Sequence, residues 1–555
     1  MLKKLNRPLE RQTKNEILTA ILAALISYIL EEVCLLNPHY RQVIILGFVD
    51  QHERIIGAAT TCTSFILAAV FFWAILHSSR RSQVILSIFV IAAFFIEYSF
   101  QSTVQRFLLP ADILMGTHSQ TEMWLEASAL YLNWVAIIPT ILYLILVWKF
   151  SARPSFRKSS CGLILVFLGI AAVNAIPLFR NVAIDWGTSP IQLFSTIYRY
   201  GLVQIFPPER EKLLFKTDTK PNNNIVLIID ESVSADFLSV NGFDRLTTPY
   251  LDILATDKDL THNWGIAAAG ATCSEVSNAL ILTGMPVSNQ DYKLAYQYPT
   301  LYQYAKSAGY TTYYIDAQTS WLWNGVSDTD SIFIDHWIVA PNLGDIQYLR
   351  DFAAADLIRD AVDTTTGNFI VLNKHGTHFP YETVYPPGEM VWSPVPTKAE
   401  DYHTYDVVLN SYSDAILYNV DTFFKHLFPD PQKLDKYTET TYYFYTSDHG
   451  QTLYRENTSS LHCGLNHLEA RVPLIIFGRF TSPLDTSYLA SHSNILPTIL
   501  DLMNIPSTHW THPYNLSLMK AIGADSGDRL YFRSSTNEIY NFDELERQAK
   551  TQQSP

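Results

Sequence analysis

"YFYTSDHGQTLYRENTSSLHCG", residues 443–464, runs from an aromatic stretch straight into Asp448 and His449, with His462 thirteen positions after the first histidine. An apolar run ending in a carboxylate and an imidazole reads as a strand holding two ligating side chains at its tip. The same pattern recurs upstream: "NIVLII" (224–229) leads into Asp230, Glu231 and Ser232, and "NFIVLN" (368–373) leads toward His375 and His378. "YTTYYI" and "VPLIIFG" complete the strand candidates, while "TLYQYAKSAG", "AADLIRDAV" and "SNILPTILDLMNI" have helical spacing. Strands alternating with helices imply an α/β domain with a mostly parallel central sheet covered on both faces. Ligands of such sheets bind beyond the carboxyl ends of the strands. Carboxylate oxygens and neutral imidazoles are the usual ligands of a catalytic zinc that keeps one position open. Any one of these residues alone is more often a capped turn; their recurrence at successive strand ends is what points to a metal.

The first third of the chain is chemically different. With 48% hydrophobic and only 17% charged residues over 555 positions, the protein is poorer in charge than ordinary soluble chains. The apolar mass gathers in five segments, roughly 17–36, 56–76, 84–107, 127–148 and 161–179. Each approaches the ~20 residues a helix needs to cross a bilayer. Lys3, Lys4, Arg7, Arg11 and Lys14 precede the first segment, Arg80 and Arg81 lie between the second and third, and Lys149, Arg153, Arg157 and Lys158 lie between the fourth and fifth. Positive loops stay inside. The reading is therefore a cytoplasmic amino terminus, a helical membrane domain over 1–185, a linker over 186–222 with a candidate interfacial helix near 194–206, and an exported domain over 223–555. In a bacterium this is a multi-pass inner-membrane protein with a periplasmic domain. The net charge of -14 argues against nucleic acid as a partner.

A nucleophile is sought in "GATCSEVSNALILTG", residues 270–284, where Thr272, Cys273, Ser274 and Ser277 precede a helical apolar run. A hydroxyl at a helix amino terminus lies where backbone donors also favour a phosphate. An ordinary N-cap explains the same pattern and, on pattern alone, is the better reading.

"DESVSADFLSVNGFDRLTTPYL", "GTHFPYETVYP", "SDHGQTLYRENTSSLHCG" and "ASHSNILPTILDLMNI" together resemble, in order and spacing, the phosphoethanolamine transferases, membrane members of the alkaline phosphatase and sulfatase superfamily. The resemblance covers most of the chain. It implies zinc held by Glu231, Asp448 and His449, with His378 and His462 at the substrate phosphate or a second zinc. In related superfamily members the attacking residue lies nine positions before the threonine of a Thr-Gly pair, which here is Ser274. These transferases typically use threonine, so Thr272 is the alternative nucleophile. Asp230 stands where the family has glycine. Cys273 is the sulfatase-like candidate, but the Cys-x-Pro-Ser-Arg motif that supports cysteine conversion is absent. Cys273 and Cys463 are the two cysteines of the exported domain, where many relatives carry several disulfides. Two buried thiols are the plainer expectation, a disulfide the other.

The resemblance implies transfer of phosphoethanolamine from phosphatidylethanolamine, through a covalent enzyme intermediate, to lipid A, a lipopolysaccharide core sugar or a periplasmic glycan. A phosphoglycerol-type transferase, a phosphodiesterase or sulfatase of the same superfamily, and a catalytically silent membrane assembly protein are the alternatives.

Overall fold

The computed structural model describes residues 16–26, 29, 53–104, 108, 113, 132–150, 153–175, 188–205, 209–217, 219–288, 291–398, 401–402, 404–453, 463–464, 466–533 and 538–553. The chain separates into two compact units, Met1–Pro207 and Pro208–Pro555.

In the second unit, β1 (Asn224–Asp230) is buried at all seven positions. An uninterrupted apolar strand of this kind belongs at the centre of a sheet covered on both faces. It pairs in parallel with β5 (Asn368–Asn373) on one side and β6 (Thr441–Ser447) on the other. β3 (Thr311–Asp316) and β4 (His336–Val339) extend the β5 side in the same direction. Beyond β6 lies β7 (Arg471–Phe477), antiparallel to its neighbours, followed by β2 (Thr261–Ala268). The seven strands are ordered β2-β7-β6-β1-β5-β3-β4, and β7 alone among them runs against the rest. The sheet is thus mixed, although the strands around its centre are parallel as expected. β2 and β4 had no counterpart among the sequence-derived strands.

The first unit contains α1 (Glu53–Leu76), α2 (Arg80–Val104), α3 (Ile137–Phe150), α4 (Phe156–Ala175) and α5 (Ser189–Ile205). Glycines on α4 permit close approach to α1: a Cβ on Gly162 would lie 2.7 Å from Ala74 Cβ, and one on Gly169 would overlap Leu67. Small residues at helix crossings are how apolar helices pack without a hydrophobic driving force. Among the described residues, 80–100 and 156–175 are long and apolar enough to cross a membrane, by length and composition only; 16–26, 62–76 and 134–150 are shorter apolar helices. Parts of the expected first, third, fourth and fifth segments lie outside the described residues. α5 covers most of the candidate interfacial helix, and it packs on its neighbours through Phe194 against Phe89 and Tyr198 against Phe167.

Candidate active site

Because β1 and β6 are parallel neighbours with Asp230 opposite Ser447, the residues that follow each strand emerge side by side. Asp448 Oδ1 accepts the backbone amides of Ser232 at 2.9 Å and of His449 at 2.7 Å. Its Oδ2 is buried and has no hydrogen-bond partner among the described residues. His449 Nδ1 donates to Gly450 O at 2.9 Å, which places the ring proton there and leaves Nε2 as a lone-pair donor. Nε2 lies 3.6 Å from Glu231 Oε1 and 3.7 Å from Asp448 Oδ2. One ligand atom from each of Glu231, Asp448 and His449 falls within 4.8 Å of the others, and all three residues are buried. Burial and the neighbouring Glu231 push the Asp448 carboxyl up to about 7, and burial also raises Glu231. Two crowded carboxylates, one with an orphaned oxygen, beside an imidazole lone pair are unfavourable without a cation and suited to one. The residues present fit a zinc ion.

Helix α6 (Ser274–Thr283) begins at this triad. Ser274 is half-buried, and its Oγ lies 3.2 Å from His449 Nε2 and 3.5 Å from Glu231 Oε2. Thr272 is buried and committed elsewhere: its amide donates to Phe532 O, its carbonyl accepts from Cys463 N, and its hydroxyl donates to Gly464 O at 3.4 Å. Ser277 Oγ donates to Asp448 O at 2.5 Å, tying the second turn of α6 to the tip of β6. Cys273 and Cys463 form a disulfide, which overturns the expectation of two free thiols.

Asp230 does not join the triad. It accepts Lys374 Nζ at 2.6 Å and Tyr445 Oη at 3.0 Å, in a fully buried ion pair beneath the site. His375 and His378 lie on the loop after β5, their rings 5.7 Å apart. Their side chains fall outside the metal-capable group found among the described residues. His378 is exposed, with Nδ1 donating to Phe379 O at 2.7 Å. Burial and the neighbouring His378 push His375 down to about 3. That loop is held against β1 by Thr377, which donates twice to Glu231 O, and by Gly376. Gly376 has φ +56, and a Cβ there would overlap Asp230 and sit 2.8 Å from Glu231 N. His462 lies outside the described residues.

Two contributors had escaped sequence reading. Gln318 Nε2 donates to Glu231 Oε2 at 3.2 Å and to Lys374 O at 2.7 Å, orienting a triad carboxylate. Its signal was its position just past the carboxyl end of β3. His492, from "ASHSN", accepts Gly270 N on Nδ1 at 3.1 Å and lies 3.1 Å from Thr446 Oγ1 through Nε2. Burial keeps it neutral, with its pKa down to about 3, so it bridges the α6 segment to β6.

The family model described as Sulfatase matches residues 223–505, just over half of the chain, and every triad residue lies within it. The chain belongs to the sulfatase family. This sulfatase-family chain is 24% identical over 277 residues to the putative transferase YhbX of Escherichia coli K12, covering 46% of this chain and 49% of that protein. It is 24% identical over 273 residues to a Kdo(2)-lipid A phosphoethanolamine 7''-transferase of Salmonella typhimurium, covering 48% and 45%. The matches therefore span about half the length of these curated relatives. In fold, the chain is similar to the integral membrane lipooligosaccharide phosphoethanolamine transferase EptA of Neisseria meningitidis, with TM-score 0.57 and 17% identity over 87% of this chain and 95% of that one.

Proposed function

We propose that the protein transfers phosphoethanolamine from phosphatidylethanolamine to an envelope acceptor (a lipid A phosphate, a lipopolysaccharide core sugar or a periplasmic glycan) by double displacement at Ser274. The observation that carries this reading is a half-buried serine hydroxyl 3.2 Å from His449 Nε2, at the rim of a buried carboxylate and imidazole triad. Glu231, Asp448 and His449 would hold zinc, which supplies Lewis-acid stabilisation of negative charge on a phosphoryl oxygen and on the serine oxygen. Ser274 Oγ attacks phosphorus, the bond to the diacylglycerol oxygen breaks, and the serine proton leaves with that oxygen. An acceptor oxygen then attacks the phosphoserine, the Oγ–P bond breaks, and a proton returns to Ser274. His378 and His462 are assigned to the remaining phosphoryl oxygens.

The transferase relatives support the reaction class, and the lipid A transferase among them supports an anionic lipid acceptor. The apolar helices of the first unit suit a lipid donor and a lipid acceptor, with the amino terminus in the bacterial cytoplasm and the catalytic unit in the periplasm. Against a sulfatase, the Cys273 sulfur is bonded to Cys463 and so is not a thiol open to conversion.

Intact-mass spectrometry of the zinc-loaded protein after incubation with phosphatidylethanolamine tests the proposal. A phosphoethanolamine adduct is expected on wild type and on Thr272→Ala but not on Ser274→Ala. An adduct lost only in Thr272→Ala moves the nucleophile, and no adduct in any variant overturns the donor.

A further inference from the structure

The residue before Ser274 occupies the N-cap of α6 in extended conformation, φ -142° and ψ 139°, and its side chain makes no capping hydrogen bond. At this position a serine, threonine, aspartate or asparagine oxygen ordinarily pins the first helical turn. A cysteine sulfur does so poorly. In this chain the sulfur is instead covalently joined to Cys463, 190 residues away. The two segments are further paired by Cys463 N donating to Thr272 O at 3.0 Å and Thr272 Oγ1 donating to Gly464 O. Cys463 itself has φ 57, a left-handed conformation that a non-glycine residue adopts only where its surroundings impose it. Both cysteines are 8% exposed. The second turn of α6 has its own tether, Ser277 Oγ to Asp448 O. The first turn, which carries the reacting hydroxyl, has the crosslink.

Resting on the Ser274 assignment above, we infer that the Cys273–Cys463 disulfide is a positioning element for the reaction: it replaces the missing N-cap and holds Ser274 Oγ against Glu231 and His449. It touches no substrate, so it acts on the placement of the nucleophile and leaves the metal ligands Glu231, Asp448 and His449 in place.

The test uses the full-length, zinc-loaded protein and p-nitrophenyl phosphate, a small ester whose turnover needs the serine and the metal but neither lipid. Wild type is compared with the Cys273→Ala/Cys463→Ala pair, with circular dichroism to establish folding and atomic absorption to count zinc. The expected result is kcat lower by ~10- to 100-fold, the scale of effect that misplacing a reacting group produces, with KM and zinc content as in wild type. A folded, zinc-loaded pair with wild-type kcat overturns the inference, and so does a fall in kcat matched by loss of zinc. Should the pair not fold, wild type is reduced with a phosphine, which takes the oxygen of a water molecule to become its oxide while that water's two hydrogens convert the sulfurs to thiols. The same kcat loss accompanying a mass gain of two hydrogen atoms is expected, and unchanged kcat in the reduced protein again overturns it. Ester turnover without phosphatidylethanolamine transfer would sink the proposed donor while leaving this inference readable; inertness toward both substrates removes both.

Discussion

At the scale of single residues, the triad was legible because the side chains that carry chemistry sit immediately after strands. The rule that ligands gather at carboxyl ends brought Glu231, Asp448 and His449 into view beside Asp230, His375 and His378, and the family resemblance singled out the three. Gln318 obeys the same rule after β3, but an amide announces no chemistry until it is seen donating to Glu231. Asp230 illustrates the converse. It has the right type and place, yet Lys374, buried just past the end of the neighbouring strand β5, draws it into an ion pair. Outer-shell donors of this kind typically account for 10- to 100-fold in metal affinity. Gln318→Leu is therefore expected to weaken zinc binding by about that factor in a competitive chelator titration, and unchanged affinity would count against its orienting role. Glu469 gives a pH prediction. It is buried, accepts Gly464 N on Oε2 at 2.7 Å, and has Oε1 without a hydrogen-bond partner among the described residues, so Oε1 is the natural seat of a proton. Burial raises its pKa to about 8 from 4.5. Between those values the unfolded chain has released the proton and the folded one retains it, so stability falls as pH rises. Glu469→Gln removes that proton linkage. Its melting temperature relative to wild type should rise from pH 5 to pH 8, and a difference that stays flat over this range would refute the assignment.

At the scale of elements, β1, β3, β5, β6 and β7 were readable from apolar runs, but β2 and β4 were not. β2 carries His262 and Asn263, pairs through an irregular register, and turns at Gly265 with φ +67, so it shows neither alternation nor an apolar run. β4 is a four-residue edge strand with His336 and Trp337 exposed, too short and too wet for periodicity. The reversed direction of β7 depends on which strand it meets, and single-strand pattern holds no such information. The loop after β5 owes its position to Gly376, whose left-handed backbone lies against Asp230 and Glu231. Gly376→Ala combines a disfavoured φ, about 1–2 kcal/mol, with overlap against backbone that cannot move aside, about 1–3 kcal/mol. Urea unfolding should show a loss of at least ~2 kcal/mol on those scales; a loss below ~0.5 kcal/mol, the range of neutral surface changes, would contradict the close approach.

At the scale of the whole molecule, composition alone separated an apolar first third from an α/β remainder, because lipid and water select residues differently. The two compact units meet in sequence at Pro207 and Pro208, within the stretch read as linker. Outward apolar side chains such as Ile85, Ile88, Ile164 and Leu168, each more than half exposed, give α2 and α4 faces suited to hydrocarbon. The proposed orientation rests on lysine and arginine placement. A reporter enzyme active only outside the cytoplasm should therefore be active when fused after Lys220 and inactive when fused after Lys158. The reverse pattern would invert the topology, and activity at both positions would deny that the intervening segment crosses.

The pairing of β1 with β6 also governs when the protein becomes competent during its synthesis. Asp230 and Ser447 are 217 residues apart, and the metal-capable group draws on residues just beyond each. Until β6 has left the ribosome and found β1, a growing chain offers Glu231 alone, which is no trap for a stray cation. Long-range strand pairing is slow, so the three side chains able to hold a metal come together only once β6 has found β1.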